Sequence, residues 1–538
     1  VTTPSTVTTP STVTAPTTVT GEPWRIVVAG FGMAGGRFVD EVLLRQADGR
    51  ATRRCLLTVV GGESHPAYNR VLLSDVIAGR ADAGSLGLAD PHELLARGVD
   101  LRLGTHVLGV DLAQRGPGWV ALDDGTRLPF DRLVLATGAA PVVPRLAGLD
   151  PDAPPAGVTA LRTLDDARAI VAAAAGARRA IVLGGGVLGV EAARGLARRG
   201  LSVQLLQSAG HLLAGLLDDA GGGVLTRASR ALGLGVRTGV AAREVTVRAG
   251  RLTGVVLEGG EHLPADLLVL ACGVRPSTGL AERAGLAVRR GVVVDDALTC
   301  SDPRVLAVGD CAEHAGLTPG LVVPAWEQAR VAADLLTGAR PDARYTGHLP
   351  AVRLKAVGLD VTVVGDTAPD PWTDEPGLEV VQLLEPASGR YLKAVVRDGI
   401  TVGATVVGDA RAAAELRLLV ERRAPAPART TTLLLPGSRL DAAPSTGAAG
   451  PTAIPDRATV CRCNGVTKGA LVRAWTSGAR STAELARTTR ATTGCGTCTD
   501  TVHGIAAWLA ACDGDPVGGG APDTGADTAL LTPTGGRP

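Results

Sequence analysis

At 538 residues the chain is too long for one ordinary domain, and its length implies about three or four. A net charge of +1 gives no reason to expect nucleic acid or an acidic membrane surface as a partner. Aromatic residues make up 2% of the chain against 71 glycines, so cores must be built from Ala, Val and Leu. A glycine motif therefore counts only where a strand and a helix flank it.

The chain opens on VTTPSTVTTPSTVTAPTTVT, a repeat that cannot bury a core, and residues 1–22 read as a disordered tail. The tail has no basic n-region and no apolar h-region, so it does not read as a signal peptide. Residue 1 is Val, which leaves open whether the tail belongs to the mature protein. No apolar run reaches membrane-spanning length without charges or helix breakers. A soluble, cytoplasmic chain is expected.

Trp24–Ala29 reads as a buried strand, followed by a glycine turn and a helix from about Met33 to Gln46. Cys55–Val60 and Leu133–Ala136 are further apolar strands, the latter closed by Thr137-Gly138. After the Pro-rich stretch 141–155 the pattern restarts. Ala180–Leu183 and Val203–Leu206 are strands, and Leu267–Ala271 with Cys272-Gly273 mirrors the earlier strand and its Thr-Gly end. This repeat predicts an α/β chain with two Rossmann-like, doubly wound parallel sheets. A helix is expected from about Trp326 to Leu336, then short strands ending in a helix over Asp409–Glu421.

The expected organisation has the first segment of one Rossmann-like domain at 23–156 and a second Rossmann-like domain at 157–280. The first domain's return segment follows at 281–343, then a small α+β domain at 344–421. Next come a flexible linker at 422–456, a small helical domain with the paired cysteines at 457–512 and a disordered tail at 513–538.

The first motif is Gly30-Phe31-Gly32-Met33-Ala34-Gly35. Gly30 permits the tight turn, Gly32 lets backbone approach a pyrophosphate, and Gly35 lets helix and strand pack closely. Glu63 follows the second strand and suits a ribose diol, beyond the usual gap of about 20 residues. The second motif is Gly184-Gly185-Gly186-Val187-Leu188-Gly189. Gln207, not an acid, ends its second strand, and no arginine stands there for a 2′-phosphate, so NADH is favoured over NADPH. Two such sites suggest one held flavin dinucleotide and one exchanging nicotinamide.

Of nine cysteines, Cys55, Cys272, Cys300, Cys311 and Cys512 stand alone. The first four read as small buried hydrophobes and Cys512 as structural. Cys461 with Cys463, and Cys495 with Cys498, form a C-x-C…C-x2-C set suited to soft metal. Zinc sites generally begin with C-x2–4-C, so the C-x-C half argues against zinc, which stays the alternative to an iron–sulfur cluster. No C-x-x-C or C-x4-C pair precedes residue 461 to receive electrons from a flavin. No histidine has metal-type spacing, and no side-chain catalyst is assigned.

These residues carry a resemblance. The chain resembles the pyridine nucleotide-disulfide oxidoreductase-like flavin reductases, in particular the FAD/NAD(P)H-binding portion of assimilatory nitrite and nitrate reductases. Besides the two glycine motifs, the matching segments are Pro66–Ser74 (PAYNRVLLS), Leu135–Gly138, Arg162–Asp166, Ala307–Asp310, Pro324–Ala329 and Arg390–Gly408. Together they cover about residues 24–420. The resemblance implies that Asp310 holds the flavin ribityl chain, with Thr137, Gly138 and Gly309 also at the cofactor. It further implies that Val107 lies by the adenine, that Arg70 approaches the flavin, and that Glu191 and Gly273 line the nicotinamide site. The cysteine region resembles bacterioferritin-associated-ferredoxin-like [2Fe–2S] domains.

The implied protein is an NAD(P)H-dependent FAD oxidoreductase passing electrons through a [2Fe–2S] cluster to a protein acceptor. The further cysteines that a [4Fe–4S]–sirohaem centre requires do not occur here. The chain is therefore expected to be the electron-input subunit for a separate nitrite or nitrate reductase, with the linker before the cluster domain acting as a swing. A homodimer is compatible with the sequence. The alternatives are the dinucleotide-binding subunit of a heteromeric amine or opine dehydrogenase, and a non-catalytic redox-sensing interaction protein.

Overall fold

Residues Ile26–Ala29 are at most 2% exposed, as are Leu133–Leu135 and Leu267–Val269. Strands covered on both faces read as unbroken apolar runs, and such strands pair in parallel. In the computed structural model the first sheet runs Val305–Ala307, Arg132–Leu135, Trp24–Ala29, Cys55–Gly61, Asp100–Leu103, all parallel. The second runs Gly235–Thr238, Ser202–Gln207, Arg179–Leu183, Leu267–Leu270, Val158–Ala160, again all parallel. The structure describes residues 22–112, 116–354, 356–435, 451, 454–461, 464–494, 496 and 498–513. The tails expected at 1–22 and 513–538 lie outside them except for Glu22 and Asp513, as does the linker over 436–450.

In each sheet the first strand of the glycine motif is central, and the chain leaves it toward both sides. That reversal opens a crevice at the carboxyl ends of the strands. The two passages between the sheets pair with each other, Ala139–Pro141 antiparallel to Val274–Pro276.

The helix Met33–Ala47 packs along the helix Val322–Thr337. Between them lies a buried ion network: Glu41 with Arg37 and Arg45 at 2.5 Å each, and Arg45 with Asp334 at 2.7 Å. Burial would raise the Glu41 carboxyl, but Arg37, Arg45 and Arg330 hold it below its ordinary range. The second helix starts four residues before the expected Trp326. Pro324 lies in its first turn, where amide donors have no intrahelical partner and proline is tolerated.

Residues 351–407 form a five-stranded antiparallel sheet backed by the helix Ala410–Glu421. The part of the expected linker that can be described is not free chain. Pro425 bridges Ile400, Ala426 N–H donates to Gly399 O, and Leu434 is 4% exposed in that domain's core. This corrects the expectation for residues 422–435, because one buried leucine and two backbone bonds outweigh a Pro/Ala/Thr composition.

The small domain is tied to the second sheet through Asp218, the N-cap of the helix Asp219–Ala231. Its carboxylate accepts from Tyr391 Oη at 2.5 Å, from buried Lys393 Nζ at 3.2 Å and from Gly221 N–H at 3.0 Å. Separately, residues 454–513 carry a short hairpin and the helices Lys468–Thr476, Thr482–Thr489 and Thr499–Asp513. They pack around Leu471, Leu485, Val502 and Ile505, each fully buried. No helix among the described residues is long and apolar enough to cross a membrane.

Burial alone would raise the Asp218 carboxyl, but its hydrogen bonds and Lys393 hold it lower than usual. A depressed folded-state value contributes stability above the unfolded value of about 3.9 and loses it as pH falls through the folded one. Tyr391→Phe should cost about 2 kcal/mol at neutral pH, the range for a bond to a charged group. It should also flatten the acid limb of a urea-midpoint-versus-pH curve. An unchanged midpoint at pH 7 would contradict this role for Asp218.

Candidate functional site

Gly30 sits at φ +111°, and a Cβ there would lie 2.2 Å from the carbonyl oxygen of Ala136. A Cβ on Gly35 would lie 2.1 Å from Gly30 O. Both positions exclude any side chain, for the turn and the close strand–helix approach that the spacing predicts. Gly32, the N-cap of the helix Met33–Ala47, has only the far end of Arg70 within 4 Å of a would-be Cβ. The helix N-terminus thus opens into the crevice with its amide donors available to an anion.

The second motif repeats this geometry. Gly184 has φ +113° and its would-be Cβ meets Ala271 O at 2.3 Å, while that of Gly189 meets Gly184 O at 1.8 Å. Gly186 caps the helix Val187–Arg198 and faces open space. Gly138 and Gly273 occupy matching positive-φ positions, +68° and +96°.

The first crevice is a cleft of about 630 Å³. Among the residues singled out from sequence, Gly30, Gly32, Glu63, Arg70, Val107, Thr137, Gly138, Gly309 and Asp310 line it together. Gly35 lies beneath it. Its size, its glycine floor and its helix terminus fit a dinucleotide.

The charges in the cleft are organised in ways the sequence does not reveal. Glu63 is ion-paired with Arg70 and accepts from Tyr68 Oη at 2.7 Å. A carboxylate has about four acceptor sites, so a ribose diol can still be held. Arg70 also donates to Arg162 O at 3.2 Å. Arg162 itself reaches Asp310 Oδ2 at 2.7 Å and Ala139 O at 2.9 Å. Arg162 lines the cleft as well, a role that no sequence motif assigns it. Its only signal is its place at the head of the RTLDD segment, where Thr163 and Asp166 form a capping box.

Two further residues support the cleft from behind. Gln328, 1% exposed, accepts the Gly309 N–H at 2.7 Å, and Trp326 Nε1 donates to Met33 O at 3.0 Å. They couple the helix Val322–Thr337 to both the Gly309-Asp310 turn and the first turn of the Gly32 helix.

Glu191, Gly184, Gly186, Gly189 and Gly273 lie on the turns and the helix at the carboxyl end of the second sheet and do not line the first cleft. Glu191 is 8% exposed and accepts from Ser74 Oγ at 2.7 Å. Gln207 turns its amide onto the glycine loop, where Oε1 accepts the Gly185 N–H at 2.9 Å.

In the C-terminal unit Cys461 is fully buried and Cys498 is 5% exposed. Asn464 Nδ2 stands 3.7 Å from Cys461 Sγ, and the carbonyl of Cys498 accepts Val502 N–H at the start of the last helix. Sheltered sulfurs beside an amide donor and a helix N-terminus suit thiolate ligation of a cluster. Cys463 and Cys495 lie outside the described residues. Among the single cysteines, Cys55, Cys300 and Cys311 are buried, and burial pushes the Cys55 thiol up to about 11. Two expectations need correction. Cys272 is only half-buried, its thiol 3.3 Å from Leu183 O at the carboxyl ends of two adjacent inner strands. Cys512 is exposed on the outer face of the last helix.

The paired glycines separate the two crevices experimentally. Gly35→Ala should lower flavin content roughly tenfold or more, about 1.4 kcal/mol, while leaving nicotinamide affinity intact. Gly189→Ala should give the reverse, a yellow protein with weakened NADH binding. Equal loss of both in each variant, read by absorbance and calorimetry, would contradict independent crevices.

Residues 24–333 match the family model described as pyridine nucleotide-disulphide oxidoreductase, residues 350–424 the rubredoxin NAD+ reductase C-terminal domain, and residues 459–508 the BFD-like [2Fe-2S] binding domain. The chain is 33% identical to the nitrite reductase [NAD(P)H] of Bacillus subtilis (strain 168), over 89% of this chain and 57% of that one. It is 32% identical to the assimilatory nitrate reductase electron transfer subunit of the same organism, over 90% and 60%. The chain thus spans about half the length of such relatives. The solved putidaredoxin reductase–putidaredoxin complex superposes with a TM-score of 0.67 at 26% identity, over 76% of this chain and 95% of that one. The cofactors these matches imply are FAD, NAD(P)H and a [2Fe–2S] cluster. This chain is an oxidoreductase and belongs to the pyridine nucleotide-disulphide oxidoreductase family.

Proposed function

We propose that this chain accepts hydride from a nicotinamide dinucleotide and delivers electrons singly to a protein acceptor, as the input component of an assimilatory nitrite or nitrate reductase. The observation that carries the reading is the coexistence of two equivalent glycine crevices with a separate cysteine unit in one chain. FAD when bound supplies two-electron acceptance with one-electron release, and a [2Fe–2S] cluster a one-electron outlet.

The chain's own residues bind and orient. Gly30, Gly32 and Gly35 admit the pyrophosphate, with Glu63 toward the ribose and Val107 toward the adenine. Asp310 takes the ribityl hydroxyls and Arg70 flanks the ring, with Thr137, Gly138 and Gly309 shaping the floor. Arg162 orients Asp310. Gly184, Gly186, Gly189, Glu191 and Gly273 form the nicotinamide site. Cys461, Cys463, Cys495 and Cys498 ligate the cluster. Because Gln207 is spent on Gly185 and offers a 2′-phosphate no cation, NADH is the favoured donor. The name of the Bacillus relative supports an electron-transfer role, and the absence of side-chain acid–base demands fits hydride transfer. We read the chain as cytoplasmic, with neither nucleic acid nor membrane as a partner.

Cys461→Ser and Cys498→Ser should leave NADH-driven bleaching of the flavin band within about twofold of wild type, while reduction of cytochrome c falls roughly a hundredfold. Bleaching lost in step with cytochrome reduction would reject a separate outlet. NADH should also surpass NADPH in kcat/KM for bleaching; a preference for NADPH would overturn the role given to Gln207.

A further inference from the structure

The parallel sheet has a second end. At the amino-terminal edge, about 17 Å along the strand from the glycine turn, a cavity of about 430 Å³ opens around Trp24. The guanidinium carbon of Arg53 lies 3.6 Å from the Trp24 ring centroid and that of Arg132 lies 3.9 Å from it. Two planar groups cannot share one face of an indole at that height, so they stack on opposite faces. Arg53 precedes the strand Cys55–Gly61 and Arg132 opens the strand Arg132–Leu135, so the flanking strands deliver one cation to each side of the central one.

Neither Arg53 nor Arg132 enters an ion pair among the described residues, and the Arg132 side chain's hydrogen bond goes to a backbone oxygen, Asp131 O at 2.7 Å. The acids nearby are engaged elsewhere. Asp131 is held by Arg25 at 2.8 and 3.0 Å, and Asp302 by Arg304 at 2.7 and 3.0 Å. Glu22 lies at the rim with no ion pair among the described residues. Burial, and then the neighbouring Arg53, disfavour the charge on Arg132 and outweigh the opposing pull of Asp131 and Asp302. Two like charges held against one ring beside a cavity, each without an ion pair among the described residues and with Asp131 and Asp302 committed to other arginines, form an arrangement that an anion would relieve. Guanidinium forks match phosphate oxygens, and indole stacking fixes the planes of those forks in advance.

We propose that Arg53 and Arg132, stacked on the two faces of Trp24, form a binding site for a phosphate group at the end of the first sheet opposite the dinucleotide cleft. The site is independent of the redox reading. Its occupant bridges the two strands that flank the one leading to the glycine turn.

The test is calorimetric titration of the full-length holoprotein with inorganic phosphate and with pyrophosphate, saturating NAD+ being present to fill the nucleotide crevice. Sodium chloride at matched ionic strength is the control. Saturable binding is expected for wild type, at least tenfold weaker in Arg53→Gln and in Arg132→Gln, with the flavin spectrum unchanged. Arg53→Lys should recover only part of the affinity, since the ammonium keeps charge without the fork. Should Arg132→Gln fail to fold, Arg53→Gln decides, because among the described residues its side chain makes no hydrogen bond and no ion pair. Heat that matches the chloride control, or binding of equal strength in wild type and Arg53→Gln, overturns the proposal.

Discussion

The close approach of a helix to the strand before it is the constraint on which the rest of the structure depends. A helix can start within one turn of a buried strand only if its first residues carry no Cβ on the contact side. Gly35 against Gly30 O and Gly189 against Gly184 O are that contact, made twice in one chain. The consequence is electrostatic as much as steric. Each helix N-terminus then points its unpaired amides over the carboxyl end of the central strand, where two loops diverge and leave room for phosphates. Glycine content that would weaken an ordinary element is here concentrated where no other residue fits.

Around the first of these crevices the chain gathers charge from distant segments and balances it locally. Glu63 pairs with Arg70 across a loop, and Arg162 reaches Asp310 over 148 positions of sequence. Glu63, Arg70, Arg162 and Asp310 are thus preset by one another and do not wait on solvent. The helix Val322–Thr337 holds the same floor from behind through Gln328 and Trp326, and the Glu41–Arg45–Asp334 network fixes that helix to the glycine helix. Replacing one member of such a network leaves an uncompensated buried charge, which is why its integrity matters more than any single contact.

The parts legible in the sequence are those governed by local rules. Trp24–Ala29 begins and ends where its apolar run does, and the glycine positions follow from turn and packing requirements that act within six residues. The helix Val322–Thr337 starts before Trp326 because Pro324 sits in its first turn, where it costs no intrahelical bond. Residues 422–435 read as linker because composition carries no record of Leu434 finding a core. Arg162 was invisible as a site residue for a different reason. Its partner comes from a segment that returns to the cleft only after the whole second sheet has been made, and no spacing rule spans that distance. The pairing of Gln207 with the Gly185 amide was equally hidden, since an amide at a strand end announces no particular partner.

In the proposed function a two-electron entry and a one-electron exit lie within one chain. An anaerobic titration of the purified protein with NADH, followed by absorbance and by low-temperature paramagnetic resonance, measures both at once. The account predicts uptake of about three electron equivalents per chain, two by the flavin and one by a cluster whose reduced-state resonance grows in as NADH is added. Uptake that stops at about two, with no cluster resonance at full flavin reduction, would contradict it.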